Sequence, residues 1–412
     1  MEKQQSKKPL IRFPEFKDAW EHKRLNELLR EAKKRNEDLK YGKDEVLSVS
    51  GELGIVNQIE HLGRSYAGVS VHQYHIVEVG DIVYTKSPLK ANPFGIIKLN
   101  KVKAGIVSTL YAVYKVNQQK AYGPFIEYYF SLDANTNRYL RPLVRKGAKN
   151  TLQISNSEFI SAEIFAPTIP EQKHIASFFT VLDKKIFELK QKKTLLEQYK
   201  KGVMLKLFSQ ELRFKDENGK RFSKWEKKKL GEVCKISSGG TPSRTKPAYW
   251  NGDIPWVSTS LINFNVILNA EEFITSKGLS NSSAKIYPKG TLLMAMYGQG
   301  QTRGKVAMLG INAATNQACA AIIPDSNKLD SVFLFQNLSS RYDEIRNISN
   351  SGGQQNLSGE LLKGISIGFP SKAEQFKIVN FFNSIDEKIE RTQNQIQQTE
   401  KYKKGLLQNM FI

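Results

Sequence analysis

Three glycine-containing loops in the C-terminal half of the chain carry side chains that can hydrogen-bond to nucleic-acid bases. They are residues 237–257, 297–305 and 350–358. Asn and Gln can form paired hydrogen bonds with adenine edges, Arg can do so with guanine, and glycine lets the backbone approach a ligand closely. The candidate residues are Thr241, Ser243, Arg244, Gln299, Gln301, Arg303, Lys305, Gln354, Gln355 and Asn356. For one residue alone an ordinary turn is the alternative, but three such loops in one domain favour binding.

The N-terminal half offers a smaller set of candidates, in which lysine predominates. They lie in residues 85–90 and 145–155. Lysine and backbone amides hold phosphates and so position a nucleic acid without reading its sequence. The candidates are Lys86, Lys90, Arg145, Lys146, Lys149 and Asn150.

Motifs that would perform chemistry on nucleic acids are incomplete. Methyltransferases acting on an exocyclic amine need Asn or Asp followed by two prolines and an aromatic residue, and Asn92-Pro93-Phe94 lacks one proline. Segment 298–306 fails as a P-loop because Val306 offers no hydroxyl to magnesium. Asp386-Glu387-Lys388 is a fragment of a nuclease pattern, but it recurs in part at Asp183-Lys184-Lys185, which favours a structural role. We therefore expect no catalytic residue, no metal site and no cofactor in this chain.

The charge balance indicates a polyanionic partner. Lys and Arg number 62 against 40 Asp and Glu, a net charge of +22. Such an excess is typical of proteins that bind nucleic acid or an anionic membrane surface. No stretch of 18 apolar residues is present, and the N-terminal segment lacks a signal-peptide core. Two cysteines form no disulfide framework, so we expect a cytoplasmic protein.

The elements that must position these loops are marked by an internal repeat. Residues 171–208 match residues 374–411 without a gap, and 14 of the 38 aligned positions are identical. Apolar residues recur every 3.5 residues in both copies, which predicts two long helices that bury a coiled-coil seam against each other. Lys200 and Lys403 interrupt the seam. Periodicity does not set the relative direction of the two helices.

Aromatic residues also lie off the seam. They are Phe178, Tyr199, Phe208, Phe381, Tyr402 and Phe411. Two interpretations stay open, namely contact with the adjacent domain, or a second face for the helices of another protein.

The segments between the helices predict mixed α and β structure. Strand patterns occur at 46–50, 81–85, 94–99 and 109–116, and again at 254–257, 291–296, 305–309 and 319–323. Helical patterns follow at 122–132 and 329–348.

These features together resemble the specificity (S) subunit of type I restriction-modification systems. The resemblance rests on the IPEQ (169–172) and SKAEQ (371–375) helix starts, the FPEFKDAWEHKRL and RFSKWEKKKL domain openings, and GGTPS…YWNGDIPW. It implies a non-catalytic subunit whose two target recognition domains each read one half of a bipartite, asymmetric site in double-stranded DNA. It also implies docking of two methyltransferase (M) subunits, which carry S-adenosylmethionine and methylate adenine N6, and of restriction (R) subunits that use ATP and magnesium.

The expected fold is α+β, with two mixed α/β target recognition domains, each followed by a long helix, and the two helices pairing as an antiparallel coiled coil. The expected segments are recognition domains at 1–168 and 212–368, and conserved spacer helices at 169–211 and 369–412. Two other functions remain open. One is a single-chain DNA-modifying or cleaving enzyme with a divergent active site, and the other is a basic coiled-coil nucleic-acid scaffold.

Overall fold

The chain divides into two compact units that share its two long helices. The structure, a computed structural model, describes residues 8–87, 92–146, 152–298, 301–348 and 356–412. Unit 1 comprises the chain up to Lys190 together with Asn394–Ile412, and unit 2 comprises Gln191–Gln393. The division falls within the long helices, so each unit contains one domain and half of each helix.

The N-terminal domain is built from short strands followed by the first long helix. Its strands are β1 (Glu21–Arg24), β2 (Leu29–Glu31), β3 (Leu47–Ser50), β4 (Gly54–Asn57), β5 (His75–Val77), β6 (Ile82–Thr85), β7 (Ile96–Leu99), β8 (Gly105–Val107), β9 (Tyr111–Val116), β10 (Arg145–Lys146), β11 (Leu152–Gln153) and β12 (Glu163–Ala166). Its helices are α1 (Leu25–Leu28), α2 (Gln58–Leu62), α3 (Gly123–Ser131), α4 (Asp133–Leu140), α5 (Asn156–Phe159) and the long α6 (Ile169–Phe208).

The C-terminal domain has a similar order of elements around its central sheet. Its strands are β13 (Glu226–Lys229), β14 (Cys234–Ser238), β15 (Trp250–Val257), β16 (Val266–Ile267), β17 (Glu272–Ile274), β18 (Ile286–Tyr287), β19 (Leu292–Ala295), β20 (Val306–Leu309), β21 (Ala313–Thr315), β22 (Cys319–Pro324) and β23 (Ser366–Phe369). Its helices are α7 (Leu230–Val233), α8 (Ser276–Ser280), α9 (Ser331–Ser340), α10 (Tyr342–Arg346), α11 (Gly359–Gly364) and the long α12 (Lys372–Met410).

Each domain centres on one mainly antiparallel sheet. The order is β2-β9-β6-β7 in unit 1 and β14-β22-β19-β20-β16 in unit 2, where only β16 runs parallel to its neighbour. The predicted strand segments coincide with β3, β6, β7, β9, β15, β19, β20 and β22. The helix predicted at 329–348 is instead two helices, α9 and α10, because Arg341 leaves the helical conformation between them (φ −104°, ψ 19°).

The two long helices pair in opposite directions, as expected. In unit 1, Lys403 of α12 forms an ion pair with Asp183 of α6. In unit 2, Lys200 of α6 lies with its Nζ 2.5 Å from Oδ1 of Asp386 of α12. The late part of one helix therefore meets the early part of the other in both units, which requires antiparallel helices. Lys200 and Lys403, which interrupt the seam, are thus satisfied by ion pairs across it.

A buried carboxylate fixes the start of each long helix to the segment that opens its domain. In unit 1, the Arg12 guanidinium forms two hydrogen bonds of 2.7 Å with Glu171, and Trp20 Nε1 donates to the same carboxylate at 3.1 Å. In unit 2, Arg213 holds the fully buried Glu374 in the same way, at 3.1 and 2.6 Å. Opposite charges with paired hydrogen bonds make such a contact directional, so the helix and the opening segment are held in one orientation.

The next residue of each repeat fixes the helix start to a second part of the domain. The Gln172 side chain accepts a hydrogen bond from Tyr122 N at 2.9 Å and donates to Pro167 O at 2.9 Å. Gln375 makes the matching contacts with Asp330 N and Pro370 O, both at 2.8 Å. We call each buried Glu-Gln pair with these partners a helix joint. The repeated Glu and Gln are therefore explained by domain packing.

Candidate nucleic-acid interface

The candidate loops of unit 2 meet at one end of its five-stranded sheet. The register pairs Ser238 at the end of β14 with Ala320 of β22, and Ala295 at the end of β19 with Cys319 at the start of β22. The loops that follow β14 and β19 therefore leave the sheet on the same side. Leu357, near the end of the third loop, joins them through a 3.0 Å hydrogen bond from its N to Met296 O. We call this the loop end of unit 2.

Unit 1 has an equivalent loop end. Thr85 at the end of β6 pairs with Tyr111 at the start of β9, so the β6–β7 loop leaves the sheet at the corresponding place. Leu152 N donates to Lys86 O at 3.3 Å, which brings the segment around β10 and β11 to the same end. The two stretches selected from the sequence of this domain therefore adjoin each other.

Several candidates lie outside the described residues, and their placement stays a prediction. They are Lys90, Lys149, Asn150, Gln299, Gln354 and Gln355. For Lys146 only the backbone, in β10, is described. Arg145, its neighbour, is exposed, and Asn356 is half-buried beside the loop end of unit 2.

Lys86 is tied into the protein rather than extended into solvent. Its Nζ donates to Asn156 Oδ1 at 2.6 Å, and the Asn156 amide donates in turn to Glu31 Oε1 at 2.6 Å. Burial is the main cause that lowers the pKa of Lys86. The structure therefore gives this lysine a role in holding the loop end of unit 1 together.

Arg244 is likewise held by its own domain. Its guanidinium pairs in two-pronged fashion with Glu272, one hydrogen bond measuring 2.9 Å, and lies 3.7 Å from the ring centroid of Trp250. The same contact lowers the pKa of Glu272 and raises that of Arg244. The structure therefore gives Arg244 a contact within its own domain, and because its side chain is 53% exposed, its contact with DNA stays a prediction.

The glycines that precede Arg244 are required by close backbone approach. A Cβ on Gly239 would lie 2.0 Å from Thr315 O, and one on Gly240 would lie 2.2 Å from Ser283 Oγ. Trp256 Nε1 then closes the turn with a 3.0 Å hydrogen bond to Gly240 O. Within the same loop, Thr241 donates to the Gln317 side chain, and the hydroxyls of Ser243 and Thr245 lie 2.9 Å apart.

Lys305, in the β19–β20 loop, contacts Asn263 and Phe264, which were not among the candidates from the sequence. Lys305 Nζ donates to Asn263 Oδ1 at 2.8 Å, and its ammonium lies 5.9 Å from the ring centroid of Phe264. The backbone carbonyl of Gln301 accepts a 2.6 Å hydrogen bond from Tyr342 OH. Arg303 is half-buried in this loop. The sequence signal for Phe264 was an aromatic residue between two asparagines, in INFNV (262–266).

The aromatic residues predicted to bind a partner protein divide into two groups. Phe411 is 6% exposed in the core of unit 1, and Phe208 packs on Trp225, Phe333 and Phe382 inside unit 2. Both side chains therefore join the helices to the domains, and a contact of either with a partner protein stays a prediction. Phe178 and Phe381 are half-buried, against Phe13 and Phe214 respectively. Tyr199 and Tyr402 are 54% and 57% exposed and remain candidates.

The described residues offer binding chemistry more readily than covalent chemistry. Both cysteines are buried, and burial raises the pKa of each thiol to about 12, so neither is a nucleophile at neutral pH. No set of three or more His, Cys, Asp or Glu side chains in the described part of the chain is arranged to hold a metal ion. The described helices also include none with the length and apolarity needed to cross a membrane.

Comparison with known proteins gives one consistent family. The model of the type I restriction modification DNA specificity domain matches residues 17–198 and again 222–401. A type I restriction enzyme specificity subunit (MjaIX) of Methanocaldococcus jannaschii is 32% identical over 210 residues, covering 50% of this chain and 48% of that protein. The EcoR124I/EcoR124II specificity subunit of Escherichia coli is 30% identical over 165 residues, covering 39% and 40%. The matched segments thus span about half the length of these relatives or less.

Two solved structures share the fold over almost the entire chain. One comes from work on complex assembly and conformational transition of a type I restriction-modification system, with a TM-score of 0.60, 15% identity, and coverage of 95% of this chain and 97% of that one. The other is the S subunit of a type I restriction-modification system from M. genitalium, with a TM-score of 0.57, 15% identity, and coverage of 98% and 99%.

Proposed function

Because the chain belongs to the family of type I restriction-modification DNA specificity subunits, we propose that it reads a bipartite, asymmetric site in double-stranded DNA. Each of the two recognition domains contacts one half-site. The main support for an asymmetric site is that the equivalent loop ends of the two units bear different side chains. One presents Arg145 beside the Lys86 that holds its loops together, and the other presents Gln301, Arg303 and Lys305. Two unlike reading surfaces suit an asymmetric site, whereas a symmetric dimer reads a palindrome.

The net charge of +22 supplies the second support for this proposal. Cations that neutralise phosphates give affinity for any duplex, and contacts with base edges add specificity. We assign Arg145 and Lys305 to contacts with phosphates. Arg303 and the candidate Gln and Asn side chains of the loops contact the bases.

The long helices serve in this proposal as the spacer between the domains and as the docking surface for two methyltransferase subunits. Tyr199 and Tyr402 are suited to that contact, because both rings are more than half exposed on the repeated segment YKKG. Large exposed aromatic side chains are enriched among residues that anchor protein interfaces.

The chain itself is non-catalytic in this proposal and acts in the cytoplasm. The methyltransferase subunits carry S-adenosylmethionine and methylate adenine N6, and restriction subunits supply ATP-driven cleavage with magnesium. Buried thiols and incomplete catalytic motifs support this assignment.

Methylome sequencing of a host that expresses this chain with its methyltransferase subunits tests the proposal. We expect one bipartite motif to be methylated, and no such motif when the chain is omitted. Replacing residues 212–368 with the corresponding domain of a relative should change only one half of the motif. Methylation or cleavage by the chain alone would favour an enzyme. Equal binding to all duplexes, with steep salt dependence, would favour a scaffold.

A further inference from the structure

Phe264 occupies an unusual position at the loop end of unit 2. It lies two residues before the edge strand β16, and its N donates to Val306 O at 2.8 Å, at the start of β20. Its φ of +55° lies in the left-handed region, which is uncommon for a bulky residue. Backbone strain of this kind persists where surrounding contacts impose it, often at ligand-binding sites. The ring is 38% exposed and lies outside the buried core clusters of the described residues.

Tyr342 supports the Phe264 ring from the start of α10. The two rings meet edge to face, with centroids 5.2 Å apart and an interplanar angle of 89°. The Tyr342 hydroxyl donates to Gln301 O and accepts from Arg346 Nη1, both at 2.6 Å. The aromatic pair is therefore coupled to the β19–β20 loop, which carries the predicted base-reading residues.

Cations flank the pair on two sides. Lys305 lies 5.9 Å from the Phe264 centroid, and the contact that the structure gives its Nζ is with a neutral amide oxygen. The Arg346 guanidinium carbon lies 5.8 Å from the Tyr342 centroid. Aromatic rings interleaved with Lys and Arg are the combination that nucleic-acid-binding surfaces use, rings for bases and cations for phosphates.

Space beside the rings is open. Phe264 and Tyr342 line a cleft of 440 Å³ whose other walls include Ser339 and, from α6, Leu205. The ring of Phe264 therefore lines an open cleft and is not packed into the hydrophobic core of unit 2.

We propose that Phe264 is an apolar wedge that packs into a base step of the half-site read by the C-terminal domain. Lys305 and Arg346 hold the phosphates on either side, and Tyr342 keeps the ring projecting. Apolar side chains inserted in this way partly unstack a step and bend the duplex, which adds specificity through deformability. The inference rests on the proposed function, which supplies duplex DNA as the ligand.

The test uses the full chain with its methyltransferase subunits and a duplex carrying the motif found by methylome sequencing. Single 2-aminopurine substitutions within the half-site of the C-terminal domain, away from the methylated adenine, report unstacking. Phe264→Ala should abolish the fluorescence increase at one step and weaken binding to the motif by about 10- to 100-fold. Binding to random duplex should change by less than about twofold, because the phosphate contacts remain.

Two further variants make the result decisive. Leu268→Ala removes a 73% exposed side chain just beyond the opposite end of β16 and should leave fluorescence and affinity unchanged. Phe264→Asn suits the left-handed backbone and is expected to fold at least as well as the parent, so the same losses in this variant would not come from unfolding.

The outcomes separate the two proposals. If the parent chain prefers a bipartite motif and both Phe264 variants match Leu268→Ala in affinity and fluorescence, the wedge is overturned while the proposed function stands. If the parent chain shows no sequence preference, the proposed function itself fails.

Discussion

At the scale of the residue, Arg244 and Arg303 are two candidate arginines with different surroundings. Both were candidates to read guanine, and both lie in glycine-containing loops of the same domain. Arg244 has a carboxylate partner in Glu272 and a stacking partner in Trp250, so its fork and its plane are engaged. Arg303 lies in the loop that the Tyr342 hydroxyl anchors at Gln301. The structure thus gives a partner that holds the Arg244 guanidinium within its domain, and the base contacts of both arginines stay predictions.

Replacing each arginine by alanine should therefore give different results. Arg303→Ala is expected to cost about 1–3 kcal/mol of binding to the cognate duplex and to relax specificity at one base pair. Arg244→Ala is expected mainly to lower the thermal stability of its domain, because Trp250 and Glu272 lose their partner. Competition binding against single-base variants of the motif, with thermal unfolding alongside, measures both effects. A uniform loss of affinity for all duplexes in Arg303→Ala would make this residue a phosphate contact.

At the scale of the element, the helix joints hold the start of each long helix to its domain. Most of the stability of a helix comes from tertiary packing. A helix whose coiled-coil seam contains polar residues gains less from that seam, so its contacts with the domain matter more. Here the first turn of each long helix holds the domain through a buried carboxylate and a buried amide. The two joints differ in one contact, since Trp20 donates to Glu171, whereas the Trp225 indole N–H has no hydrogen-bond partner among the described residues.

The joint of unit 2 predicts an asymmetry between its two charged partners. Arg213→Gln leaves the Glu374 carboxylate, which is 0% exposed, without its counter-charge and should cost about 3–5 kcal/mol of unfolding free energy. Glu374→Gln should cost less, because the Arg213 side chain is 20% exposed and can turn toward water. Urea denaturation of both variants and of the double variant provides the measurement. Equal costs for the two single variants would contradict a joint governed by burial of the carboxylate.

At the scale of the whole molecule, the two units follow one plan with different surfaces. Each contains a mixed α/β domain, one helix joint, a cross-helix Lys-Asp pair and a loop end. The repeated helices give both units the same joint and the same cross-helix ion pair. The loops give the two units different side chains at their loop ends. In the proposed function, this arrangement would let one recognition surface change while the shared helices keep their contacts.

A charged residue placed in the helix seam tests whether the helices serve docking while each domain folds independently of the seam. Ile186 is 9% exposed on α6, and Ile186→Asp places a charge in the buried face. We expect loss of methyltransferase-subunit binding and of methylation at the bipartite motif, with both domains still folded. Gel filtration with those subunits measures docking, and limited proteolysis reports whether each domain survives. Ser177→Asp, on the exposed side of the same helix, is the control, and an equal loss there would show that added charge alone disrupts docking.

Much of the fold could be predicted because its signals are local. The repeat and the 3.5-residue period place both long helices to within a few residues, and eight strands occur where alternation and turn residues indicated them. The prediction of one helix at 329–348 failed because the backbone at Arg341 turns out of the helix, and no proline or glycine marks that position.

The sequence by itself determined the two unlike domains, the repeated helices and the loops that carry amides and cations, because composition and periodicity act over neighbouring residues. The tertiary structure alone decided that Arg244 is engaged by Glu272, that Phe411 is core and that Phe264 stands at the loop end. Each of these depends on contacts between residues distant in the chain. A local sequence pattern indicates which interactions a side chain is able to make. Which of them it does make depends on the residues that the fold packs against it.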